Sequence, residues 1–216
     1  MKKFELTIKS ITNEAGKKLF RIKALIDFGD VKAGELGGYV EKEENISQDG
    51  NAWVCGDARV SGNTMVYDNA RVYGNARVYD NARVCGDARV SGNARVYGDA
   101  RVYDNAWVCG DARVYGDAWV CGDAWVSGNA RVYDNARVSG DADYALVKGF
   151  GTEFRCTTFY RDKNKKIMVN CGCFHGDLEA FRKQVKETRS GKIAKEYLMI
   201  ADLMEYHFTS EDSSDE

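Results

Sequence analysis

Residues 93–116 read NARVYGDARVYDNAWVCGDARVYG, which is one six-residue unit written four times. The same unit runs without insertion through fifteen copies from Asn51 to Gly140, with the consensus (Asn/Asp)-Ala-(Arg/Trp)-Val-(Tyr/Cys/Ser)-(Gly/Asp). Val fills the fourth position in all fifteen copies, and Ala fills the second position in all but the copy that carries Thr64. Self-similarity at a short fixed period is typical of solenoid proteins, so this repeat decides the fold.

Each unit predicts one short strand followed by a corner. Ala and Val lie two positions apart and therefore point to one face of a strand, while the Arg or Trp and the Tyr, Cys or Ser point to the other. The Gly or Asp at the end of a unit tolerates the left-handed backbone angles of a tight corner. A helix is excluded because a six-residue spacing would carry Val around the whole helix circumference.

Three strands joined by three corners close one coil, so the fifteen units predict a mainly β fold of five three-sided coils over residues 51–140. Val and Ala are expected inside, with Arg, Trp and Tyr outside. An aliphatic residue with a small residue two positions before it resembles the pattern of the hexapeptide-repeat left-handed β-helix family. That resemblance implies a left-handed parallel β-helix, which is an exception to the right-handed rule for parallel crossovers.

Both ends of a β-helix expose strand edges and need caps. The alternation of Phe4, Leu6 and Ile8 with polar residues predicts an N-terminal β-hairpin cap within residues 1–50. Residues 141–208 are expected to form an α+β cap with strands at 152–160 and 167–174, joined by a polar loop, and two amphipathic helices. The apolar residues that mark these helices are Leu178, Phe181 and Val185, then Ile193, Tyr197, Ile200, Met204 and Phe208.

Residues 209–216 (TSEDSSDE) predict an acidic, disordered tail. The segments FGDVKAGELGGYVE (28–41) and CGCFHGDLEAF (171–181) resemble uncharacterised phage and prophage proteins with hexapeptide repeats. A likeness of this kind implies a fold, and function has to be argued from sites.

The composition indicates which classes of partner and which cellular compartment to expect. A net charge of −2 gives no bulk attraction to nucleic acid or membrane, so a nucleic acid or nucleotide ligand is not favoured by charge. No apolar run reaches the roughly 20 residues of a membrane span. Seven cysteines without a secretion signal fit reduced thiols, and we expect a cytoplasmic protein.

Every third unit stacks on the same face, which arranges the outward side chains in columns. One face carries an arginine column, which we call the Arg column: Arg59, Arg77, Arg95, Arg113 and Arg131. Beside it, Ser61 is followed by a tyrosine column, which we call the Tyr column: Tyr79, Tyr97, Tyr115 and Tyr133. The other two faces mix Trp, Arg and Met with Cys, Tyr and Ser, so the three faces differ.

Two interpretations of these columns stay open. Stacked guanidinium groups repel by roughly 1 kcal/mol per pair in water, and corner carboxylates can balance them to give a merely solvated surface. Alternatively, planar donors beside stacking rings form a binding strip suited to phosphates, bases or an acidic protein. Clustered exposed Trp residues also favour a partner or self-association. The candidate binding residues are Arg77, Tyr79, Arg95, Tyr97, Arg113, Tyr115, Arg131, Tyr133, Trp107, Trp119 and Trp125.

Catalytic chemistry is not expected. Acyltransferases of the hexapeptide-repeat family use a His on or beside the coils and usually an inserted loop, but here His175 and His207 both lie outside an uninterrupted repeat. No phosphate-binding glycine loop or hydrolase elbow is present in the sequence. We therefore predict no enzyme activity and no cofactor, with an acyltransferase-like enzyme as the remote alternative.

The C-terminal cysteines allow two interpretations. If the loop between the predicted strands closes a hairpin, Cys156 falls opposite Cys171, and Cys173 and His175 follow on one face. These four residue types suit zinc, but buried cysteines in an apolar cluster are the favoured interpretation. In the repeat, Cys55 and Cys109, and Cys85 and Cys121, lie two or three coils apart, too far for disulfides.

The sequence thus predicts a non-catalytic binding protein of phage or prophage type, with a host protein or an anionic ligand as its partner. Such a protein could antagonise a host factor. A self-assembling scaffold that forms homo-oligomers through its coils is the alternative.

Overall fold

A computed structural model describes residues 1–209, apart from the side chains of residues 141 and 155. The tail predicted at 209–216 lies outside this described part except for Thr209, which ends the last helix. The chain begins with β1 (Phe4–Thr12) and β2 (Lys18–Ala24), which pair in an antiparallel hairpin as the alternating pattern predicts. β2 pairs in turn with β3 (Leu36–Val40).

Each unit of the repeat forms a strand of two residues, made of the third-position residue and the Val that follows it. These strands are β4 (Trp53–Val54), β5 (Arg59–Val60), β6 (Met65–Val66), β7 (Arg71–Val72), β8 (Arg77–Val78), β9 (Arg83–Val84), β10 (Arg89–Val90), β11 (Arg95–Val96), β12 (Arg101–Val102), β13 (Trp107–Val108), β14 (Arg113–Val114), β15 (Trp119–Val120), β16 (Trp125–Val126), β17 (Arg131–Val132) and β18 (Arg137–Val138).

Three parallel sheets form the sides of the solenoid. The first sheet contains β5, β8, β11, β14 and β17, the second β4 to β16 in steps of three, and the third β6 to β18 in steps of three. The register is exact from coil to coil, with Arg95 opposite Arg113 and Val96 opposite Val114. The Arg95 amide donates to the Ala112 carbonyl at 2.9 Å. Every third unit is therefore a neighbour in space, as the sequence predicts.

The stack continues below the repeat. β3 joins the first sheet in parallel with β5, through Val40 opposite Val60. Ile46 forms a parallel bridge to Val66 of the third sheet. The solenoid therefore has about six turns, one more than the five coils of regular units.

The inward positions are closed to solvent. The Val at position four is 0% exposed throughout the repeat, from Val54 to Val138, and the Ala at position two is equally buried. Thr64, which replaces Ala once, is also buried, and its hydroxyl donates to the Ser61 carbonyl at 2.8 Å. The predicted burial of Val and Ala is confirmed.

The corners explain why Gly and Asp share position six. Asp80 has a φ of 62°, in the left-handed region that glycine adopts freely. Its carboxylate accepts the Gly98 amide of the next coil at 3.3 Å. A Cβ at Gly62, one coil below, would lie 2.6 Å from the Asp80 carbonyl oxygen. An Asp therefore fits where its neighbour in the stack is glycine.

One end of the core departs from the prediction that Trp lies outside. Trp53 is only 1% exposed, because Phe4 and Phe28 of the N-terminal segment pack edge-on against it at 6.2 and 5.3 Å. Lys3 lies beside it, and its Nζ donates to the main-chain carbonyls of Asp49, Gly50 and Ala52. The N-terminal segment therefore covers the first Trp of the second sheet.

The C-terminal cap is a separate antiparallel sheet packed against two helices. Its antiparallel strands are β19 (Tyr144–Phe150), β20 (Arg155–Arg161), β21 (Ile167–Cys171) and β22 (Phe174–Asp177). β19 was not predicted, and the strand expected at 167–174 is split by a turn at Gly172–Cys173, so that Cys171 pairs with Phe174. Both predicted helices are present, as α1 (Leu178–Thr188), capped by the Asp177 carboxylate, and α2 (Gly191–Thr209).

Most of the apolar residues that marked these helices are buried between them and the cap sheet, and Ile193 packs partly buried at the edge of that cluster. Across residues 1–209, neither helix combines the length and apolar character that crossing a bilayer requires.

Candidate binding face of the solenoid

The Arg column lies on the first sheet, on strands β5, β8, β11, β14 and β17. Arg59, Arg77, Arg95 and Arg113 are half-buried, and Arg131 is exposed. The other faces are also mixed, with Arg71 and Arg137 half-buried and Arg83, Arg89 and Arg101 exposed. Because their register is exact, the side chains of the column repeat at the coil spacing. Partial burial restricts the conformations of these side chains. Less side-chain entropy is therefore lost when a ligand binds them.

Beside the arginines, the Tyr column is a continuous stack of rings. The ring centroids are 4.8 Å apart from Tyr79 to Tyr97, 4.8 Å from Tyr97 to Tyr115, and 4.6 Å from Tyr115 to Tyr133. The planes differ by 10° or less. Burial in the stack raises the pKa of each of these phenols above its ordinary value. The column is therefore uncharged at neutral pH.

The stack ends against the C-terminal cap. The Tyr133 ring centroid lies 4.1 Å from that of His175, whose Nδ1 is 3.3 Å from Asp134 Oδ2 and whose Nε2 is 3.2 Å from the Tyr160 hydroxyl. Tyr160 is 0% exposed, and burial raises the pKa of its hydroxyl. These contacts of His175 join the C-terminal cap to the last coil of the solenoid.

The N-terminal hairpin places a carboxylate on the Arg column. Glu14, in the turn between β1 and β2, accepts a hydrogen bond from Arg77 Nη1 and forms an ion pair with it. That hydrogen bond, with the charges of Arg77, Arg95 and Arg59, lowers the pKa of Glu14 below its usual value. One guanidinium of the column, that of Arg77, thus already holds a carboxylate of its own chain.

The corner carboxylates expected to balance the arginines make other contacts. Asp80 accepts the Gly98 amide, Asp99 accepts the Asn81 side-chain amide at 3.1 Å, and Asp134 faces His175. The ion pairs of Arg71 and Arg77 run to Asp30 and Glu14 of the N-terminal segment instead. Among residues 1–209, no arginine of the Arg column forms an ion pair with a corner carboxylate, and Arg77 pairs with Glu14.

The predicted Trp cluster is a pair. Trp107 and Trp125 stack on the second sheet with ring centroids 5.2 Å apart and planes 6° apart, and Trp125 is 49% exposed. Trp119 is not part of this cluster, because it lies on the third sheet between the guanidinium groups of Arg101 and Arg137, at 5.0 and 4.0 Å. We call Trp107 and Trp125 the Trp pair.

The proposed zinc ligands do not converge. The structure places Thr157, not Cys156, opposite Cys171, so the predicted pairing is wrong by one residue. Such a slip turns a side chain to the other face of the sheet. The Gly172–Cys173 turn also separates Cys173 and His175 from the strand of Cys171. In residues 1–209, no group of three His, Cys, Asp or Glu side chains is arranged to hold a metal ion.

The cysteines are free thiols throughout the described chain, including Cys55, Cys85, Cys109 and Cys121 of the repeat. Sequence reasoning missed the Glu14–Arg77 contact and the His175 junction. Both join residues far apart in the chain, and the repeat period carries no signal for them.

Comparison with known families supports the repeat. The family model of the YdcK Beta solenoid repeat matches in overlapping segments, at residues 66–80, 70–86, 76–92, 82–98, 88–104, 94–110, 106–122 and 130–142. No curated protein matches the chain significantly. The matched segments lie on all three sheets of the solenoid, and the chain is thus a repeat β-helix similar in its coils to YdcK β-solenoid repeats.

Proposed function

We propose that the protein is a non-catalytic binding protein that uses the Arg and Tyr columns to bind an acidic surface of a partner protein. The observation that carries this proposal is the register of the first sheet, which aligns half-buried arginines beside a stack of uncharged tyrosines. Arg and Tyr are the residue types that most often anchor protein interfaces. Carboxylates suit the planar guanidinium donors, as Glu14 on Arg77 illustrates.

The face is rigid before it binds. Its strands are held by hydrogen bonds on both sides, and its rings stack on one another, so little further ordering is needed on association. A protein with net charge −2 does not attract anions as a whole. Recognition of an acidic partner therefore depends on the local alignment of the arginines. Binding should weaken as added salt screens their charges.

The test is capture of partners from a bacterial extract on immobilised protein, with identification by mass spectrometry. We expect Arg95→Glu with Arg113→Glu to lose the acidic partner that the wild type retains. Arg83→Glu with Arg89→Glu changes charge equally on exposed arginines of the other faces and serves as the control. Loss of the partner in both variants, or in neither, would contradict the assignment to the first sheet.

A second candidate function, self-assembly, is favoured by the Trp pair. Two stacked indoles with Trp125 half-exposed form an apolar surface of the kind that interfaces cover. Tyr144 and Leu146 of β19 line the same surface next to Trp125. Under this candidate, copies of the chain associate through the second sheet and leave the Arg column unoccupied.

We also infer a left-handed coil, as in the hexapeptide-repeat family, because Val and the small residue two before it both point inward here. An experimental density map would decide the hand. The likeness of residues 28–41 and 171–181 to phage and prophage proteins supports a bacterial host protein as partner, in the cytoplasm. An acyltransferase-like enzyme stays a remote alternative, and turnover of an acyl-coenzyme A substrate would establish it.

A further inference from the structure

The lower end of the Tyr column borders a cleft under the tip of the β1–β2 hairpin. Side chains from the hairpin tip and from the first sheet line this cleft, among them Glu14, Lys17, Arg59, Ser61, Arg77 and Tyr79. Lys17 is held in place by an ion pair with Glu41 at 3.1 Å. The cleft therefore brings cationic groups and an aromatic ring to one place.

The Tyr column is one ring short at this end. Tyr79 stacks on Tyr97 on one side, and on its other side the same column position is filled by Ser61, which bears no ring. In the described part of the chain, no other aromatic ring stacks on that face of Tyr79. A planar group lying over Ser61 would continue the stack at the 4.8 Å spacing that the tyrosines keep.

The same cleft offers a place for an anion. The Glu14 carboxylate lies on Arg77, with the charges of Arg59 and Arg95 close enough to lower its pKa. Arg and Tyr columns are two residues apart along each strand, which separates them by about 7 Å. A mononucleotide carries its phosphate at about that distance from its base, so one molecule can reach both columns.

We propose that this cleft binds a mononucleotide, with the base stacked on Tyr79 over Ser61 and the phosphate on Arg77 in place of Glu14. This proposal shares one premise with the proposed function, namely that the positive charges of the Arg column bind an anion. It depends on Tyr79, Ser61 and Arg77. The partner test instead changes Arg113, which lies outside the cleft, together with Arg95, which lines it. Glu14 then acts as an internal competitor, and binding includes its displacement from Arg77.

The test is calorimetric titration of the full-length chain with adenosine 5′-monophosphate up to about 5 mM, a range that detects millimolar binding. Glu14→Gln removes the competing charge at equal size, and we expect the affinity to rise several-fold. Ser61→Tyr places a tyrosine in the column, as in its next four positions, and so fills the space proposed for the base. We expect the affinity for the nucleotide to fall at least ten-fold. Tyr79→Leu removes the stacking face and should also weaken binding about ten-fold.

Tyr73→Leu is the matched control, because Tyr73 follows β7 of the second sheet and does not line the cleft. It should leave the affinity unchanged, and thermal midpoints should show that all variants are folded. The proposal is overturned if neither wild type nor Glu14→Gln binds the nucleotide, or if Ser61→Tyr and Tyr79→Leu bind it as well as wild type. It is also overturned if adenosine alone or inorganic phosphate alone binds as tightly as the nucleotide. Ser61→Tyr should still bind the partner protein. A loss of nucleotide binding in this variant can therefore be distinguished from a failure of the proposed function.

Discussion

Val96 shows what a single inward residue contributes to the solenoid. It is 0% exposed and lies between Val78 and Val114 of the coils below and above. An unpaired carboxylate at this position costs several kcal/mol, which is comparable with the total stability of about 5–15 kcal/mol of a typical domain. We expect Val96→Asp to prevent folding, measured as loss of the β signal in circular dichroism.

The matched control is Arg89→Asp, which places the same charge on an exposed, outward position. Surface changes of this kind usually alter the free energy of unfolding by less than about 0.5 kcal/mol. If Val96→Asp keeps the thermal midpoint of wild type, the assignment of inward and outward positions is wrong.

At the scale of the element, the Tyr column links stability to pH. Burial raises the pKa of its phenols in the folded chain, while in the unfolded chain they ionise near their ordinary value of about 10. Between these values the folded state holds protons that the unfolded state has lost, so the stabilisation is complete below about pH 10 and is lost as pH rises further. We expect the free energy of unfolding to fall progressively as the pH rises above about 10.

This fall is measured by urea unfolding at each pH, with phenolate absorbance to follow ionisation. Tyr97→Phe keeps the ring and removes one buried phenol from the middle of the column, so its alkaline loss should be smaller than that of wild type. An equal loss in both proteins would show that the column does not set the alkaline limit.

The Trp pair gives a second test at this scale. Burying the pair between two copies would remove a large apolar area from water, so its truncation should dissociate any oligomer. We expect Trp107→Ala with Trp125→Ala to shift the sedimentation coefficient to that of a monomer, if assembly uses the second sheet. Trp119→Ala, on the third sheet between Arg101 and Arg137, is the control. An oligomer that survives the double change would exclude the Trp pair as its interface.

At the scale of the whole molecule, the solenoid could be predicted from sequence because every unit repeats the same pattern of inward and outward residues. Val at position four and Ala two residues before it fix the inward face, and the period fixes which units stack. The ends were harder to predict. The burial of Trp53 follows from Phe4 and Phe28, which are distant in sequence, so nothing in its own unit distinguishes it from Trp107.

The C-terminal cap was predicted in part for a similar reason. Its helices carry a clear apolar stripe, as Phe181 and Tyr197 show, but β19 has no regular alternation of buried and exposed residues. β20 and β21 pair one residue off the expected register, with Arg161 opposite Ile167, and this shift was enough to misplace Cys156. The turn at Gly172–Cys173 separately divides β21 from β22. The contact of Glu14 with Arg77 depends in the same way on how the N-terminal hairpin packs on the first sheet.

The central claim is that the Arg column of the first sheet binds an acidic partner. The most direct measurement is the affinity of the purified partner for wild type and for Arg95→Glu with Arg113→Glu, taken at low and at physiological salt. We predict that the double variant binds about a hundred-fold more weakly, as expected for loss of two interface arginines at about 1.4 kcal/mol each. Its thermal midpoint should stay near that of wild type. Equal affinity of both proteins, with both folded, would contradict the claim.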